Sequence, residues 1–248
     1  MPIKLLVSDL DQEIEALRDI ARAFLAPGAD GVLAQARADL RNIAQRQGAM
    51  IPWTVGPTNP VLTTLSYGGY QRETRGERCV FAEITFVWDL TPVRQPGNTQ
   101  PARAVLLEGR TSTVIRILEG DPAEEPVELG MWRMEVANDD SPGAYFHVQI
   151  MGRDDDVIFP KAVDVPRLPN LLVSPFACME FIIAELFQDE WDRHSVKSSG
   201  AMNRWRSVQS TRMLKQLKWH AEQIEQSSGS PWSAWKRATP HMEIFNSA

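Results

Sequence analysis

The chain has 248 residues, 43% of them hydrophobic and 23% charged, with a formal charge of −6 and an isoelectric point near 5.3. Such a composition excludes wholesale disorder, and the acidic balance argues against charge-driven adhesion of the whole molecule to nucleic acid. At this length one elaborated domain around a single core is the expectation.

The first residues carry one lysine and an apolar run of three, Leu5 to Val7, before the acids begin at Asp9. That run is too short for a signal peptide or membrane anchor, and no later stretch reaches about 18 uninterrupted apolar residues. Cytoplasmic residence without a membrane partner is the default expectation. Ser8 or Asp9 can cap a first helix whose Ile14, Leu17, Ile20, Ala21, Phe24 and Leu25 share one stripe. Pro27 and Gly28 stop it. Asp30 then caps a second helix with Val32, Leu33, Ala36, Leu40, Ile43 and Ala44 on one face, so residues 1–50 read as an αα-hairpin.

From Ile51 to Gln71, prolines and glycines punctuate short extended pieces, which reads as a connector. Strands are predicted at Cys79 to Trp88, Ala104 to Leu107, Thr111 to Leu118, Val127 to Val136 and Tyr145 to Met151. The breaks between them are short and rich in turn formers. Strands that follow one another without helical crossovers pair antiparallel. The middle region, 51–173, is therefore an antiparallel sheet of about five strands.

Residues 174–248 return to helix. Ser174 and Pro175 form a cap and a first-turn proline before the apolar run PFACMEFIIAELF, and a long helix follows from about Met202 to Gln226. The fold class is thus α+β: a central antiparallel sheet flanked by the N-terminal hairpin and two C-terminal helices, in one compact unit. Cys79 and Cys178 sit in apolar runs, where thiols pack as small hydrophobes, and no structural disulfide is expected.

No short-spaced histidine or cysteine motif, nucleophile elbow, phosphate-cradling loop or dinucleotide fingerprint occurs, so the sequence names no metal and no cofactor. The most suggestive stretch is AYFHVQIMGRDDD. Alternation places Tyr145, His147 and Gln149 on one side of a strand, facing water or a cleft, with Phe146, Val148 and Ile150 on the core side. His147 with Gln149 and the carboxylates Asp154, Asp155 and Asp156 is a candidate catalytic set, because a histidine beside an acid can act as a general base. Tyr145, His147 and Arg167 are candidate ligand contacts if the sheet wraps a small molecule against the helix Ser174 to Phe187. An ordinary half-exposed strand ending in an acidic turn shows the same alternation. On that placement His147→Ala leaves folding intact.

The long helix interleaves Arg204, Arg206, Arg212, Lys215 and Lys218 with Trp205 and Trp219. Basic and aromatic residues together can hold a nucleic-acid strand. However, Val208, Leu214, Leu217, Ala221 and Ile224 form a stripe that wants a protein surface, which favours core packing with a solvated basic flank. Trp232, Trp235 and Phe245 crowd the C-terminal tail. With Trp205 and Trp219 they are candidate anchors for a protein partner, because tryptophan dominates interface energies. Deleting the chain from Ser230 onward is accordingly expected to cost an assembly partner and leave helix content unchanged.

Functions of three classes are compatible with this pattern. The leading one is a non-enzymatic interaction subunit or adaptor of an intracellular multiprotein assembly, with a protein partner or a second copy. The others are a hydrolase, metal-dependent or not, with its site around His147, and a small-ligand or nucleotide-binding α+β domain.

Overall fold

The structure is a computed structural model, and it describes residues 2–46, 48–67, 79–94, 100–136, 143–151 and 167–245. Among these residues lie eight strands and five helices: β1 (Ile3–Leu6), α1 (Val7–Ile20), α2 (Ala29–Gln45), β2 (Ile51–Val55), β3 (Val61–Leu62), β4 (Val80–Val93), β5 (Ala104–Glu119), β6 (Val127–Val136), β7 (Phe146–Met151), β8 (Arg167–Pro169), α3 (Pro175–Ser195), α4 (Gly200–Glu225) and α5 (Pro231–Arg237). The protein is mixed helix and sheet, and all strand pairs are antiparallel, in the order β2-β4-β5-β6-β7-β8.

The count of about five strands is corrected to eight. Two of the predicted strands are one: β5 runs through Gly109, whose φ of +68° makes room for a bulge where Trp88 faces Thr111 and Leu90 faces Leu107. Asp89 fills the bulge, accepting the Arg110 backbone N–H at 2.9 Å. The expected connector holds β2 and β3, which both pair with β4. The apolar opening run is β1, which pairs with the first part of β5 while β6 pairs with the rest. These pieces are two to five residues long, too short for a periodicity to show in sequence.

Helices cover one face of the sheet. Trp53, Phe86, Trp88 and Phe176 pack edge to face at its centre, with Trp53 and Phe86 centroids 5.0 Å apart. Trp53 donates its indole N–H to the Ala36 carbonyl of α2 at 2.8 Å. The buried core draws on α1, α2, the sheet, α3, α4 and the tail. Ser174 caps α3 by accepting the Ala177 N–H. The helix kinks at Gln188, whose φ of 29° lies outside the helical region, and the nearby Leu186 carbonyl accepts from the Ser66 hydroxyl. Both cysteines are free, and burial pushes the Cys178 thiol well above its ordinary range. Among the described residues no helix is long and apolar enough to cross a membrane.

Candidate functional site

The strand register brings the polar residues of β7 together with partners that the sequence reading did not name. Across the outer side of β6, β7 and β8, Glu135 stands opposite His147, and Arg133, Gln149 and Arg167 form the next row. The His147 ring sits between two acceptors. Its Nδ1 donates to the Ala144 carbonyl at 2.8 Å, and its Nε2 lies 3.2 Å from the Glu135 carboxylate without hydrogen-bond alignment. Burial works to raise the Glu135 carboxyl, but His147, Arg133 and Arg167 outweigh it and hold the group below its ordinary 4.5. Gly143 keeps this corner open for Arg167, whose Cδ lies 2.5 Å from where a Cβ on Gly143 would stand.

β7 turns its expected face inward, with Phe146 fully buried in the core and Val148 and Ile150 toward α3; the correction concerns the other face, which is covered as well. Tyr145, His147 and Gln149 are buried, His147 to 2% exposure, whereas Val148 and Ile150 are only half-covered. Alternation in a strand shows that its two faces differ; it does not show that the polar face is open. A buried ring tolerates its position where a partner satisfies it, as the Ala144 carbonyl does for His147 Nδ1. Asp154, Asp155 and Asp156 lie outside the described residues. Among the described residues no cluster of three metal-ligating side chains occurs.

With the ring buried, His147→Ala is now expected to lower stability by about 1–3 kcal/mol, the range for losing a buried hydrogen-bonded group. The effect has a pH signature. A carboxyl held low in the fold contributes stability that is complete above its unfolded pKa and is lost as the pH falls through the lowered native value. Urea unfolding of His147→Ala should therefore show less acid-side loss than wild type. An unchanged midpoint would return His147 to an exposed position.

On the opposite, helix-facing side, Trp132, Met134, Val148, Ile150, Leu172 and Phe181 line an apolar groove of about 410 Å³ between the sheet and α3. Tyr145, His147 and Arg167 are not among its lining residues. The expected ligand contacts and the concavity thus lie on different faces of one sheet.

Helix α4 also differs from expectation. Its buried face is Met202, Trp205, Gln209, Arg212, Gln216, Trp219 and His220, spaced by threes and fours. The stripe expected to pack inward points outward, with Leu214 66%, Leu217 47% and Ile224 42% exposed and Ala221 exposed beside them. Trp205 and Trp219 pack inward, and Gln209 and Gln216 on the same face each donate a hydrogen bond there. Arg212, expected on a solvated basic flank, is buried with Nη1 2.6 Å from the fully buried Glu13 carboxylate of α1. Ser174 and Gln209 also donate to that carboxylate, and Gln216 donates to the Asn170 carbonyl. Glu180 of α3 is raised above its ordinary range by burial, with the Glu13 charge adding to the effect. Arg204, Arg206 and Lys218 are exposed, while Lys215 donates to the Phe245 carbonyl.

Of the five aromatic residues expected to anchor a partner, Trp205, Trp219 and Phe245 are buried in the protein's own core. Trp235 is half-buried and donates its indole N–H to His220. Burial lowers the His220 imidazole to about 4. Trp232 is 46% exposed, its ring 5.7 Å from that of Trp235. No known protein-family pattern matches the chain, and neither a curated protein nor a solved structure is significantly similar to it.

Proposed function

We propose that the chain is a non-catalytic interaction protein that docks a partner chain through the outer face of α4 and α5. The observation that carries this reading is the exposed stripe Leu214, Leu217, Ala221 and Ile224 with Trp232 near one flank. Exposed apolar residues are ordinarily scattered singly; four at helical spacing on one face make a strip that association would remove from water. The hydrolase reading has less support, because both His147 nitrogens face protein acceptors and the ring has almost no exposure, so it offers no base to a substrate.

The test compares the tagged full-length chain with Leu214→Asp/Leu217→Asp after purification from cells that express it. These positions are exposed, so the stability should stay within about 0.5 kcal/mol of wild type. A stoichiometric bound chain, identical or different, should be present with wild type and lost with the variant. A variant that melts much earlier, or a wild type that carries no bound chain, overturns the reading.

A further inference from the structure

The partner that fits this face is a second copy of the same chain. Residues Leu214, Leu217, Ala221 and Ile224 repeat at intervals of three, four and three, the spacing of a seam between two paired helices. The seam faces away from the buried side of α4, and polar Asn203, Ser207 and Ser210 end it on the N-terminal side. It spans ten residues, roughly 15 Å at the helical rise. Charge along the helix then selects the direction of pairing. Arg204, Arg206, Lys215 and Lys218 all precede residue 219, whereas Glu222 and Glu225 follow it.

We propose that two copies pair through α4 in antiparallel orientation, with the two-fold axis near Trp219. This reading rests on the proposed interaction role of the α4 and α5 face. Antiparallel pairing about that point places Leu214 against Ile224 and Leu217 against Ala221 of the second copy. It also sets the flank bearing Lys215 and Lys218 against the flank bearing Glu222 and Glu225, so opposite charges meet on both sides of the axis. A parallel pair would set this flank against the opposite flank of the second helix, which bears Met213 and His220, and these attractions would not form. The helix dipoles favour the antiparallel arrangement as well. Trp232 sits on the flank of α4 that bears His220, since its ring stacks edge-on against Trp235, which holds that histidine. This placement brings it toward the end of the second copy's seam that carries Met213, itself 38% exposed.

The seam is short, so the dimer should dissociate on dilution, on the order of 10 μM, as weak complexes with small interfaces do. Sedimentation equilibrium of the full chain over a concentration series should show a species of twice the 27.9 kDa chain mass at the high end. Lys218→Glu and Glu222→Lys should each weaken association about tenfold, since each replaces two symmetry-related attractions with repulsions. Mixing the two weakened variants should restore it, because the mixed pair regains both attractions. Restoration on mixing cannot come from the Lys218 and Glu222 contact within one helix, which spans 4.0 Å and is absent from both variants. A wild-type chain that stays monomeric to several hundred μM, or a dimer indifferent to both reversals, overturns the self-pairing. If the chain is monomeric yet Leu214→Asp/Leu217→Asp still costs it a different partner, the interaction role stands and only self-pairing falls.

Discussion

Glu13→Ala is expected to destabilise the protein by about 3–5 kcal/mol, because it leaves the Arg212 guanidinium charged and unpaired in the core. Glu13 is fully buried on the inner face of α1, with Arg212 of α4 2.6 Å away and nearly as deeply covered. Three elements meet on this one carboxylate: α1 supplies it, α4 supplies Arg212 and Gln209, and Ser174 at the start of α3 donates to it at 2.7 Å. Ser174 also caps α3, so the helix start is fixed by the same residue that grips Glu13. Arg212 Nη1 and Nη2 and the facing Glu13 Oε2 make no aligned hydrogen bond, so the site is only partly satisfied even in the intact protein. That makes the comparison with a double variant informative. Glu13→Leu/Arg212→Met should lie within about 2 kcal/mol of wild type, since two apolar side chains remove both charges together. Urea unfolding of the three proteins measures both numbers. A Glu13→Ala midpoint close to wild type would mean that water reaches the pair.

The sequence made the α+β class legible because its longest elements carry strong signals. Ser174-Pro175 marks the start of α3, the apolar stripes of α1 and α2 repeat over three or more turns, and β4 alternates from Ala82 to Phe86. The short pieces β1, β2, β3 and β8 are set by pairing with distant strands, and local sequence carries no trace of a partner. The inner face of α4 is hidden for a different reason. Counting aliphatic residues ranks Leu214, Leu217 and Ile224 above Gln209, Arg212 and Gln216, yet the latter are buried because Glu13 and the Asn170 carbonyl meet them there. A usable signal existed at both ends of this contact. Glu13 interrupts the stripe of Leu10, Ile14 and Leu17, and a charge in the middle of an apolar stripe calls for a buried partner. Met202 lies three residues before Trp205 and Trp219 lies two heptads after it, so the three mark one face of α4. For β7, Glu135 could be recognised as the partner of His147 only from register, which no local pattern supplies.

Removing the chain from Ser230 onward is expected to lower stability by on the order of 5 kcal/mol, the reverse of the sequence expectation that the tail serves a partner and not the fold. Phe245 is 5% exposed and its ring lies 6.0 Å from Phe146, which in turn packs against Trp219. Ile244 beside it is buried as well. The tail also completes β1: the Met242 carbonyl accepts the Lys4 backbone N–H at 2.9 Å on the strand. Losing a fully buried phenylalanine costs about 3–5 kcal/mol by itself, and the isoleucine and backbone bond add to it. A second readout separates loss of the tail's packing from general damage. His220 is buried beside Trp235 and its imidazole is lowered to about 4, so the native state loses stability as the pH falls from 6.5 toward that value, where the unfolded chain takes up a proton that the folded ring refuses. Without α5 the ring loses part of its cover, its pKa rises toward 6.5, and the stability of the truncated chain should vary less over that interval. Thermal and urea unfolding at several pH values between about 7 and 4 measure both effects. A truncated chain that melts with wild type and keeps the same pH profile would show that the tail contributes nothing to the core, and would hand Phe245 back to a partner.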